Sequence, residues 1–212
     1  ISSFEPLSAI KDNKIDVIYL ATPIGLHYMQ AKKILKSKKH LWSEKSLANN
    51  YQEVSDLVKI AKKNKLSICE SFMYLHHPIF KKIKNLIDKR YIGDPTSVSL
   101  TFNCPHLEKS NWRYKKKLGG GSLLDLGCYP ISSFLNLFKF NSKLYYSDLK
   151  RNKSLGVDIS GSALFINKHA LFNLNWGFGK LYKNSLRIIG TKGTIIAEPF
   201  FSKPNSITPK II

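Results

Sequence analysis

The chain predicts an α/β protein: a parallel sheet in its first third, then an α+β domain with an open, mainly antiparallel sheet. Three observations carry that prediction. Apolar runs alternate with helical segments over residues 15–69, the strand–helix–strand pattern of a parallel sheet. From Lys143 onward, strand-like segments follow one another with only short polar or glycine breaks. Between these regions a triple glycine, Gly119-Gly120-Gly121, opens a helix-like apolar pattern.

Taken in order, Phe4–Lys11 predicts a short helix that ends near Asp12-Asn13. Ile15–Ala21 is a nearly continuous apolar run, which suits a strand buried on both faces, and Thr22-Pro23 ends it. Leu26–Leu35 has helical spacing. Lys39–Trp42 is a second short strand, closed by Ser43-Glu44-Lys45-Ser46. Asn50 with Glu53 three residues on has the form of a capping box, and its helix runs to about Asn64. Leu66–Cys69 is a third strand. After His76-His77-Pro78 a helix runs over Ile79–Lys89, Gly93-Asp94-Pro95 turns, and Thr96–Asn103 alternates, with Val98, Leu100 and Phe102 on one face. Beyond the glycine-opened helix the strands are Leu144–Leu149, Val157–Ile166, Ala170–Trp176, Ser185–Ile189 and Thr194–Ala197. The pattern change places a domain boundary near Phe72, giving domains 1–71 and 72–212.

The bulk numbers exclude several classes. Of 212 residues, 43% are hydrophobic, ordinary for a folded protein. No apolar run approaches the ~20 residues that span a bilayer, and no signal-peptide pattern opens the chain. Cys69, Cys104 and Cys128 form no C-x-x-C pair, so neither a zinc site nor a disulfide framework is indicated, and no metal is expected. A reducing cytoplasm is the simplest setting. The net charge of +20 invites a nucleic-acid reading. Against it, only Arg90, Arg113, Arg151 and Arg187 are arginines, the residue favoured for bidentate phosphate and guanine contacts. The lysines lie at helical spacing, as on a solvated helix face.

Ligands of parallel sheets bind at the carboxyl ends of the strands. Those ends are Thr22-Pro23, Glu44-Lys45 and Glu70-Ser71. Asp125 and Tyr129, four apart, share a helix face beside the glycine turn, an acid and a phenol presented together. On the residues alone a plainer reading stands beside this one: a surface ion pair for Glu44 and Lys45, a helix cap for Asp125 and a core ring for Tyr129.

Several segments in order then resemble one family. They are Asp16 to Pro23, His27, Lys39-His40-Leu41-Trp42-Ser43-Glu44-Lys45, Glu70-Ser71-Phe72-Met73-Tyr74, His77-Pro78, Ile92-Gly93, Trp112-Arg113, Gly119 to Tyr129, and Ile189 to Thr194. The resemblance is to the Gfo/Idh/MocA oxidoreductases, the family of glucose–fructose oxidoreductase and inositol dehydrogenase. Tyr129, where many relatives have His, resembles the branch of glucose–fructose oxidoreductase, dimeric dihydrodiol dehydrogenase and NADP-dependent xylose dehydrogenases. The resemblance implies a partial Rossmann-type, dinucleotide-binding domain at 1–71 and a substrate and oligomerisation domain at 72–212. It implies hydride transfer between NAD(P), NADP favoured, and a sugar or related CH–OH substrate. Catalytic roles fall to Lys45, Tyr129 and Asp125. Thr22, Pro23, His27, Glu44, Lys45, Trp112 and Arg113 would meet the cofactor. Tyr74, His77, Asp125 and Tyr129 would meet the substrate. A homo-oligomer through the open sheet, with no nucleic acid and no membrane, completes the picture.

Two departures matter. No glycine-rich phosphate fingerprint precedes the strand containing Asp16, and the chain is expected to be truncated at both ends. The family's Glu-Lys-Pro is Glu44-Lys45-Ser46 here, and Ser is expected to disfavour the cis bond a proline there can hold. Two other readings therefore compete: a non-catalytic remnant unable to bind dinucleotide, and a basic nucleic-acid-binding module.

Overall fold

The computed structural model describes residues 10–138 and 142–202. The helix expected over Phe4–Lys11 lies, apart from its last two residues, outside them. The chain divides into two compact units. The first comprises the chain up to Ser71 together with Trp112–Gly120, and the second comprises Phe72–Asn111 and the chain from Gly121.

The first unit is built on three parallel strands in the order β1 (Val17–Leu20), β2 (His40–Glu44) and β3 (Ile68–Ser71). Helices α1 (Ile24–Lys36) and α2 (Tyr51–Asn64) make the two crossovers. Leu20, Ala31, Ile34, Leu35, Leu41, Leu57 and Ala61 form the core between helices and sheet. Lys32 ties the helices together by an ion pair to Asp56 at 2.8 Å. The predicted cap holds: the Asn50 side chain accepts from Glu53 N–H at 3.0 Å. The return bond goes one residue early, from Asn49 N–H to the Glu53 carboxylate.

One expectation needs correcting. Ile15–Ala21 reads as a strand buried on both faces, yet β1 alternates, and Val17 and Tyr19 are about half exposed, as is Trp42 on β2. Successive right-handed crossovers along the strand order 1-2-3 put both helices on one face. Among the described residues, the other face carries no helix of this unit.

In the second unit, α3 (Met73–His76) and α4 (Pro78–Asp88) lead to β4 (Pro95–Asn103). A wide π-turn at Leu123–Gly127 runs into α5 (Cys128–Leu137). The strands β5 (Lys143–Asn152), β6 (Val157–Ile166), β7 (Leu171–Gly177), β8 (Lys183–Gly190) and β9 (Thr194–Ala197) complete a six-stranded sheet ordered β5-β6-β7-β4-β8-β9. Pairing is antiparallel except that β4 runs parallel to β7. That one parallel contact arises because β4, which precedes the helix, inserts between strands that follow it. Val98, Leu100, Phe102, Phe172, Leu174, Trp176, Leu186 and Ile188 are buried on one face, and α5 packs there. The opposite face carries Ser97, Ser99, Thr101, Asn173 and Asn175, and β5 is an exposed edge strand with Tyr145 and Tyr146 outward.

Candidate functional site

In the first unit the strand ends gather the candidates. Strand register pairs Leu20 with Ser43 and Ser43 with Glu70, so Thr22, Glu44, Lys45 and Glu70 lie at one edge of the sheet. Pro23 ends the β1 loop and stands before the first turn of α1, and Thr22 Oγ1 donates to Gln30 Oε1 at 2.6 Å. The Glu44 carboxylate accepts from the Tyr19 hydroxyl. That bond, ahead of burial and the Glu44 charge, raises the Tyr19 phenol above its ordinary value. Lys45 is half-buried on the turn after β2.

The Lys45–Ser46 peptide bond is cis, contrary to the expectation drawn from the serine. The groups around it are specific. His27 is fully buried, with Nδ1 2.8 Å from the Ser46 carbonyl oxygen and Nε2 2.7 Å from that of Thr22. The Leu47 N–H donates to Glu70 Oε1 at 2.8 Å. His27, expected at the cofactor, thus directs both ring nitrogens at its own backbone. Burial pushes the Glu70 carboxyl above its usual value, while the Leu47 N–H and the charges of His27 and Lys45 work against that.

Trp112 and Arg113 fold with this first unit, and the Arg113 guanidinium lies over the Trp112 ring, 4.7 Å from its centroid. The segment is seated by glycine against glycine. A Cβ on Gly25, in the first turn of α1, would fall 2.6 Å from Gly119 N. Gly119 itself has φ +74, a left-handed conformation that glycine adopts without steric cost.

In the second unit the glycine turn is gripped by a strand. Asp158, on β6, accepts from Ser122 Oγ and from Leu123 N–H, each at 2.7 Å. Gly121, at φ +130, has no room for a Cβ beside that carboxylate. The helix beyond opens wide: Cys128 N–H donates to the Leu123 carbonyl, five residues back. The four-residue spacing of Asp125 and Tyr129 therefore crosses from π to α geometry, and the α-helical face argument does not strictly apply to it. Both residues are 5% exposed.

The Tyr129 ring sits among Phe102, Phe72, Phe201 and Tyr74, at centroid distances of 5.1, 5.6, 5.7 and 5.9 Å. Tyr74 is 1% exposed and its hydroxyl donates to Ser132 Oγ at 2.8 Å. Burial pushes its phenol up to about 12. His77 caps α4, its Nδ1 accepting from Ile79 N–H at 3.2 Å. Sequence reasoning missed Asp158 and Gly25 as site supports and named Glu70 as a strand end and within a family segment, with no role of its own. Glu70 carried a signal, a carboxylate closing an apolar strand, whereas the partners of Asp158 and Gly25 lie too far along the chain for any local pattern. Among the described residues, no group of three or more His, Cys, Asp or Glu could hold a metal ion, and no helix is long and apolar enough to cross a membrane. The three cysteines form no disulfide.

Comparison with known proteins agrees with this architecture. Residues 80–196 match the family model described as GFO/IDH/MocA C-terminal domain. Residues 1–72 match that of an oxidoreductase family with an NAD-binding Rossmann fold. The chain belongs to the GFO/IDH/MocA oxidoreductase family. It is 29% identical over 191 residues to a dTDP-3,4-didehydro-2,6-dideoxy-alpha-D-glucose 3-reductase of Saccharopolyspora spinosa, covering 90% of this chain and 58% of that protein. It is 28% identical over 213 residues to a trans-1,2-dihydrobenzene-1,2-diol dehydrogenase of Xenopus laevis, covering 97% of this chain and 62% of that one. The crystal structure of a 3-ketoreductase from Actinomadura kijaniata, in complex with NADP and TDP-benzene, superposes with a TM-score of 0.92 at 25% identity, over 100% of this chain and 65% of that one. Structures of that ketoreductase have also been solved with a tyrosine changed to phenylalanine and with a lysine changed to alanine. The chain spans about three fifths of the length of the curated relatives it matches.

Proposed function

We propose that the whole protein transfers a hydride between NAD(P), NADP favoured, and a hydroxyl or ketone carbon of a sugar or related substrate. The donor set suits such a cofactor. Thr22 and Pro23 form the loop at the end of β1, Glu44 offers a carboxylate to ribose hydroxyls, Lys45 stands at the reactive end of the cofactor, Arg113 offers positive charge to phosphates, and Trp112 offers a ring face. A bound nicotinamide supplies the hydride acceptor or donor. The chain's residues handle the proton. In oxidation the Tyr129 hydroxyl relays the proton leaving the substrate oxygen, accepting it while passing its own proton on, and in reduction it gives its proton to that oxygen and is reprotonated. The Lys45 ammonium stabilises the negative charge that develops on that oxygen. Asp125 orients the substrate or the lysine. His77 shapes the substrate pocket, and Tyr74, whose hydroxyl is held by Ser132, does so by packing on the Tyr129 ring. His27 serves the cofactor edge by holding the two loops, β1–α1 and β2–α2, that border it.

One observation carries this reading. The lysine and the tyrosine replaced in the variants of the ketoreductase are separated along that chain by the same number of residues as Lys45 and Tyr129. A homo-oligomer formed through the open, polar face of the six-stranded sheet and a cytoplasmic setting fit the same reading. The test is kinetic. In the full-length protein, Lys45→Met and Tyr129→Phe should each lower kcat for a dTDP-ketosugar or a trans-dihydrodiol by about 10²–10⁴-fold. Wild-type turnover in both variants rules the assignment out.

A further inference from the structure

A lysine is a long stem with a charge at its tip, so its aim depends on the backbone that carries it. The peptide unit joining Ser46 to Leu47, one peptide beyond the Lys45–Ser46 bond, is held at both ends. Its carbonyl oxygen faces His27 Nδ1 at 2.8 Å, and its N–H donates to Glu70 Oε1 at 2.8 Å. The far nitrogen of the same imidazole faces the Thr22 carbonyl at 2.7 Å. Thr22 follows β1, the held peptide follows β2 and Glu70 belongs to β3. A single polar chain therefore crosses the ends of all three strands, with Lys45 beside its midpoint.

The chemistry of that chain is demanding. A carbonyl oxygen only accepts, so both His27 contacts are hydrogen bonds together only when both ring nitrogens carry hydrogen. His27 is 0% exposed, so bulk solvent does not reach the ring. The Glu70 carboxylate holds the other side of the same peptide by accepting the Leu47 N–H. A buried N–H left without its acceptor is unfavourable, which holds the peptide in this orientation.

We propose that Glu70 and His27 are positioning residues for Lys45: by fixing the Ser46–Leu47 peptide they fix the direction from which the ammonium meets the reacting oxygen. This rests on the role of Lys45 given above.

Two substitutions at one position isolate the effect. Glu70→Asp keeps the charge and withdraws it from the Leu47 N–H by one methylene. Glu70→Gln loses the charge and keeps an acceptor within reach. In the full-length enzyme Glu70→Asp should lower kcat by about tenfold to a hundredfold with substrate KM within about twofold, since a misaim near 1 Å costs rate more than binding. Glu70→Gln should stay within about threefold of wild type. In the full-length protein, hydrogen exchange at the Leu47 amide should quicken in Glu70→Asp and stay slow in Glu70→Gln, a readout independent of turnover. Wild-type kcat in Glu70→Asp, a loss confined to Glu70→Gln, or a Leu47 amide indifferent to both variants overturns the proposal. If Lys45→Met abolishes turnover and Glu70→Asp does not, positioning alone has failed; if Lys45→Met keeps turnover, the role of the lysine has failed first.

Discussion

Lys45 and Tyr129 are immobilised by different physics. The turn under Lys45 is gripped through its backbone by polar side chains of neighbouring elements. Tyr129 is held by its ring, packed against Phe72, Tyr74, Phe102 and Phe201. A carboxylate appears in both places, Glu70 under one turn and Asp158 under the other, each accepting a backbone N–H. The difference suits the residues. A polar grip fixes where a long cationic side chain starts, which is enough for the charge-stabilising role proposed for Lys45. An aromatic cage fixes the ring itself, which a phenol needs if its proton is to move along one hydrogen bond.

That contrast breaks or sharpens by measurement. The largest expected effect is on the cage. Phe102→Ala removes a buried ring in contact with Tyr129 and should cost roughly 3–5 kcal/mol in denaturant unfolding; a loss below about 1 kcal/mol would mean the ring is not held as described. Next comes the second unit's carboxylate. Asp158→Ala strands the buried Ser122 hydroxyl and the Leu123 N–H and should cost roughly 2–4 kcal/mol, with Asp158→Asn losing less because one acceptor survives. Equal losses in the two variants would show that charge, not acceptor geometry, matters there. The smallest effect is a pH dependence. The Tyr74 phenol is raised from its ordinary value near 10 to about 12. It is neutral below pH 10 in folded and unfolded chains alike, so its contribution is complete there and is lost as pH rises toward 12. Wild-type stability should fall over that window by roughly 2–3 kcal/mol more than that of Tyr74→Phe. Parallel curves for the two proteins would contradict the burial argument.

What the sequence made legible is what neighbours along the chain decide. The Asn50 cap spans three residues, and strands such as Val157–Ile166 and Thr194–Ala197 announce themselves by composition and alternation. The π-turn was not legible, because Leu123-Leu124-Asp125-Leu126-Gly127 has an ordinary helical apolar pattern and the widening shows only in which carbonyl each N–H meets. Nor was the placement of β4 beside β7, or the grip of Asp158 on Ser122, whose partners are 36 residues apart. The cis bond after Lys45 ran against the local preference of serine, and the side chains that surround it, His27 and Glu70, come from two other elements. Lys45 and Tyr129 themselves came from resemblance to a family; periodicity alone left them a surface ion pair and a core ring.

The excursion of Trp112–Gly120 into the first unit has a practical consequence for anyone who recombines such proteins. The polypeptide passes between units at Ser71/Phe72, at Asn111/Trp112 and again at Gly120/Gly121, so neither body is one uninterrupted stretch. A chimera spliced only at Phe72 would graft a foreign strap onto the resident first helix. Unless the donor also places a glycine opposite Gly25, that strap has nowhere to lie. Compatible crossover points come as a set of three.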